Sequence, residues 1–78
     1  MKTIEETKKS MIMYVESDID TLSEQNEEKE ARAYISRVRG ALGAMSMSDI
    51  ITADEAKILE DKLAEARKNA EQNILNNK

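Results

Sequence analysis

The chain contains no cysteine, histidine, proline, tryptophan or phenylalanine, and only two glycines and two tyrosines in 78 residues. Without cysteine there is neither a disulfide framework nor a thiolate metal site. Without histidine and cysteine, the commonest general base, the activated thiol and the usual zinc ligands are missing together. No apolar run approaches a membrane span, and "MKTIEETKKS" lacks the apolar core of a signal peptide. The expectation is a soluble, cytoplasmic protein that does not contact membrane, uses no cofactor or metal, and is not an enzyme.

What remains is rich in Ala, Glu, Lys, Leu, Ile and Met, with 36% charged and 40% apolar residues and a net charge of −4. Disorder is the competing reading at such charge, but the apolar residues are periodic. A chain of this length forms one domain, residues 1–78, whose thin core invites oligomerisation or a partner. The mild acidity argues against general nucleic-acid affinity.

Three helices are predicted, over about 3–23, 27–48 and 53–76. Thr3 and Glu6 fit a capping box at the first, followed by the stripe Ile4, Met11, Val15, Ile19 and Leu22, widened by Ile12. Asn26 is placed to cap the second, with Glu27, Glu28 and Glu30 near the positive end of its dipole. Its stripe is Ala31, Ile35, Val38, Leu42 and Met45, flanked by Tyr34. Thr52 and Glu55 form a second capping box, with Ile51 packed just before it, and define a tight connection from Asp49 to Thr52. The third helix carries Ala56, Leu59, Leu63, Ala66, Ala70 and Ile74, and the tail "EQNILNNK" is expected to fray. The expected fold is all-α, a small antiparallel three-helix bundle, with exchange of the first helix between subunits of a dimer also compatible.

Both glycines fall in "RGALGAMSMSDIITADEA", which includes nine consecutive uncharged residues, Gly40 to Ser48. At about 100° per residue, Ala33, Ser36, Gly40, Gly43, Ala44 and Met47 oppose the core stripe of the second helix. All but the methionine are small, where a surface helix carries Lys and Glu. Each Gly costs about 1 kcal/mol relative to Ala in a helix interior. Small residues let helix backbones approach closely, so this face is expected to meet another helix, in a homodimer through helix two or on a protein target. A kink or helix end at the glycines, and internal packing of a skewed bundle, are the alternatives.

Seven acids, Glu16, Asp18, Asp20, Glu24, Glu27, Glu28 and Glu30, stand against one lysine between Glu16 and Glu30. A solvated helix end and loop is the ordinary explanation. An acidic patch imitating nucleic-acid phosphates in a basic groove of a DNA- or RNA-binding protein is the functional one. A calcium loop starting at Asp18 fails, because Leu22, Ser23 and Lys29 occupy its fifth, sixth and twelfth positions. The carboxylate pairs Asp18 with Asp20 and Asp54 with Glu55 read as solvated helix residues rather than catalytic ones. Arg32, Arg37 and Arg39 lack interleaved aromatics, so direct nucleic-acid binding is not expected. Met13 and Ile58 lie off their stripes and, with Met47, are expected to be exposed apolar contacts.

No specific family motif is present. The connection "SDIITADEA" between two helices loosely resembles small open reading frames of bacterial phages and mobile elements. That resemblance implies an accessory protein acting by stoichiometric binding, for example inhibition of a host defence nuclease such as a CRISPR effector.

Overall fold

A computed structural model describes residues 3–77 and contains three helices, α1 (Ile4–Ser23), α2 (Glu28–Met47) and α3 (Ala53–Asn76). Every pair of helices is in contact, and the bundle measures 47 × 24 × 14 Å. No helix among the described residues is long and apolar enough to cross a membrane.

The three stripes meet in one core. Val15, Ile19 and Leu22 come from α1, Ala31, Val38, Leu42 and Met45 from α2, and Leu59, Leu63, Ala66 and Ala70 from α3. Ile51 closes the end of the bundle at the α2–α3 connection, 6% exposed. One expected core residue is not there: Ile4 is 83% exposed, because the first turn of α1 projects beyond the neighbouring helices.

Polar links set the register of α1 against α3. Lys8 Nζ lies 2.7 Å from Glu55 Oε1, Lys62 Nζ lies 2.7 Å from Glu16 Oε2, and Asn73 Nδ2 donates to the Ser23 carbonyl at 2.9 Å. Partner numbers rise together along both helices, so α1 and α3 run parallel with α2 antiparallel to each.

The caps explain the boundaries. Thr3 Oγ1 accepts from Glu6 N at 3.1 Å. At α3 the box is complete, with Glu55 N donating to Thr52 Oγ1 at 3.1 Å and Thr52 N donating to Glu55 Oε1 at 2.9 Å. Lys8 first, then the Thr52 amide, hold the Glu55 carboxyl below the usual carboxylate range. A depressed carboxyl stabilises the fold above its unfolded-state pKa, and that contribution disappears as pH falls through the folded value. Thr52→Ala removes the cap acceptor and is expected to destabilise by ~1 kcal/mol in urea unfolding. Unchanged unfolding contradicts the role given to this cap.

The cap of α2 differs from expectation. Glu27, not Asn26, is the N-cap of α2, and it makes no side-chain cap bond. The loop before it meets the other end of the chain, where α3 runs to Asn76 as expected and stays helical through the tail. Asn73 Nδ2 donates to Ser23 O at 2.9 Å and to Gln25 O at 3.1 Å, and Asn77 Nδ2 donates to Asn26 O at 3.4 Å. The α1–α2 loop is thus held by the asparagines of α3 through its carbonyls, and α2 begins without a side-chain cap.

The end of α2 does not use glycine. Ile50 N donates to Met45 O at 2.9 Å and Asp49 N to Ser46 O at 3.2 Å, a Schellman arrangement with Asp49 left-handed at φ 56°. Both glycines lie upstream inside one uninterrupted helix, and neither has a positive φ.

Candidate functional site

The structure places Ala33, Ser36, Gly40, Gly43, Ala44 and Met47 on one solvent-exposed face of α2, opposite the buried Val38 and Leu42. A Cβ built on Gly40 or Gly43 meets nothing within 4 Å. Within the bundle, then, the glycines mark neither a helix end nor a close internal contact. Gly40→Ala is accordingly expected to stabilise the isolated bundle by about 1 kcal/mol, as gauged by thermal or urea unfolding. A loss of stability in the isolated bundle contradicts an unencumbered face.

Ala33, Ser36, Gly40, Gly43 and Met47 follow steps of three, four, three and four, the 3.5-residue period of a seam between supercoiled helices. The inward stripe of α2 has the same period with large residues. Helix α2 therefore carries two rows of this period, one packed against its own chain and one exposed.

A second uncharged row lies on α1. Thr7, Ser10, Tyr14, Ser17 and Thr21 repeat the same three–four spacing, and all but the half-buried Thr21 are exposed. Tyr14 joins this row to α2, because Arg37 Nη2 donates to its hydroxyl at 2.8 Å. The Arg37 guanidinium carbon stands 5.9 Å from the Tyr14 ring centre and 5.4 Å from that of Tyr34. The Asp18 carboxylate lies 3.3 Å from the same side chain. Both tyrosines of the chain thus hold one arginine beside the smooth face, and Tyr14 is 61% exposed. Tyrosine and arginine are among the residue types that most often anchor protein contacts. The hydroxyl spacing on α1 is the sequence signal that points to Tyr14.

The acidic run is divided rather than gathered. Glu16 pairs with Lys62, Asp18 with Arg37, and Glu28 with Arg32. Asp20, Glu24, Glu27 and Glu30 are exposed and make no ion pair among the described residues. Glu16 and Asp20 line the α1–α3 valley beside Lys62, whereas Glu30 projects from α2. Of the apolar contacts expected at the surface, Met13 is 59% exposed, Ile58 55% and Met47 89%. Only Met47 belongs to the α2 face, since Met13 lies on α1 and Ile58 on α3. Among the described residues no group of three or more His, Cys, Asp or Glu side chains is placed to hold a metal ion.

On the other side of the smooth face, Gly43 lines an open α2–α3 valley of about 420 Å³ floored by Leu42 and Leu63. It continues past Arg67 into a second recess of about 490 Å³ that reaches Ile35 and Ile74. Between the exposed row on α1 and the smooth face of α2 stands the cluster of Tyr14, Arg37 and Asp18. No protein-family model, curated protein or solved structure matches this chain.

Proposed function

We propose that this protein is a non-enzymatic helical module that acts by stoichiometric protein binding, with the outer face of α2 as its contact surface. A second copy of the chain, related by a two-fold axis, is the first occupant. The supporting observation is the pair of glycines standing in open space inside a continuous helix. The bundle loses about 1 kcal/mol at each and gains no internal contact in return. A second helix seated there gives them a purpose, because interaxial distances range over about 8–10 Å and glycine permits the short end. A small domain also gains stability from association. The resemblance of the Ser48–Ala56 connection to phage and mobile-element reading frames extends the proposal to a protein target, a host defence nuclease being the class considered.

Gly40→Leu tests the reading. The added side chain has open space in the single bundle, so the monomer should fold, while a close helix pair should be forced apart. Light scattering is expected to report a dimer for the wild type and a monomer for the variant, with unchanged circular dichroism. A variant that remains dimeric shows that the glycines do not form the contact.

A further inference from the structure

The α2–α3 valley carries charges that the bundle leaves without partners. Arg39, Arg67 and Glu60 line it near Gly43, and Glu71 lies along its continuation. None of these four makes an ion pair or a side-chain hydrogen bond among the described residues, although four ion pairs are formed away from this valley. Of these four residues, Glu60 and Arg67 lie on one helix and carry opposite charge, so two copies related by a two-fold axis can exchange them. Arg32 and Glu28, which also line the continuation, are already paired with each other.

Glu60 and Arg67 are placed symmetrically on α3. They are seven residues apart, two helical turns on nearly the same line, with Leu63 and Ala64 midway between them. Ala64 and Gly43 are small groups on opposite walls of the valley, above the floor made by Leu42 and Leu63. If two copies meet antiparallel about an axis through this midpoint, Glu60 of one faces Arg67 of the other, and the reverse pair forms by symmetry. The small walls allow the helices to approach.

We infer that the second copy docks along the α2–α3 valley, about a two-fold axis at Gly43 and Ala64, with reciprocal ion pairs between Glu60 and Arg67 of opposite subunits. The inference rests on the homodimer proposed above and specifies its register. Gly43 belongs both to the smooth face and to the valley, so the valley contact adjoins that face at this one residue.

Charge exchange tests it. Glu60→Arg and Arg67→Glu each place like charges together twice in a homodimer, so each should weaken self-association by about tenfold or more. Mixed in equal amounts, the two variants should associate with each other, because every contact then joins opposite charges. The double variant, Glu60→Arg with Arg67→Glu in one chain, should recover the wild-type dimer. Circular dichroism checks folding first, and if Arg67→Glu unfolds the monomer, Arg67→Gln replaces it and should weaken self-association less than charge reversal does. A wild-type dimer whose association is unaffected by the single changes overturns this register and leaves the homodimer standing. Weakened single variants that fail to associate when mixed also overturn the pairing. A wild-type monomer at high micromolar concentration overturns both proposals.

Discussion

Leu22→Ala is expected to lower the stability of the bundle by about 2–5 kcal/mol, the usual range for truncating a fully buried leucine. Leu22 has no exposed surface, and it lies in the last turn of α1, where the core narrows toward the alanines of α3. Ala66 and Ala70 provide little side chain there to collapse into the space left behind. A domain of this length has a total stability of only about 4–12 kcal/mol at ~0.05–0.15 kcal/mol per residue. The substitution therefore removes a large share of the total and should shift the urea midpoint strongly. A loss below about 1 kcal/mol contradicts the assignment of Leu22 to the centre of the core.

Asn73→Ala has the next largest expected effect. Its amide donates to two carbonyls, Ser23 O in the last turn of α1 and Gln25 O in the connection that follows. Both acceptors lose a partner in the variant, and the expected cost is about 1–3 kcal/mol. Hydrogen exchange should accelerate at residues 24–28 beyond what the global loss explains. Asn77→Ala is the matched control, because its bond to Asn26 O is long at 3.4 Å and exposed. It should cost less than ~0.5 kcal/mol. Equal effects from both changes would show that Asn73 has no special role in holding the loop.

These two residues mark the boundary of what the sequence displays. Leu22 is legible because burial follows periodicity: the stripes on all three helices, and Ile51 between them, identify most of the core from spacing alone. The capping box at Thr52 is equally legible, because both of its hydrogen bonds are local. Asn73 is not legible. Its partners lie some fifty residues away, and in the sequence it belongs to a polar tail that reads as frayed. The same blindness to long-range polar contacts misplaces the cap of α2 at Asn26. Ile4 shows a related failure, since it has the right period but no neighbour at the end of the bundle.

The smooth face is legible as a wheel pattern, and the structure adds that nothing within the bundle covers it. Tyr14 and the Arg37 it holds are obscure in the sequence, because hydroxyl spacing on α1 means little until α2 is set beside it. The acidic run illustrates the reverse. Seven acids in one stretch of sequence are dispersed in space, three of them paired with basic groups.

Self-association of the wild-type protein tests the central claim most directly. Sedimentation equilibrium from low to high micromolar concentration should show the mass rising from 8.8 kDa toward twice that value. A mass that stays at 8.8 kDa throughout the range contradicts the dimer and leaves the open face of α2 without its proposed occupant.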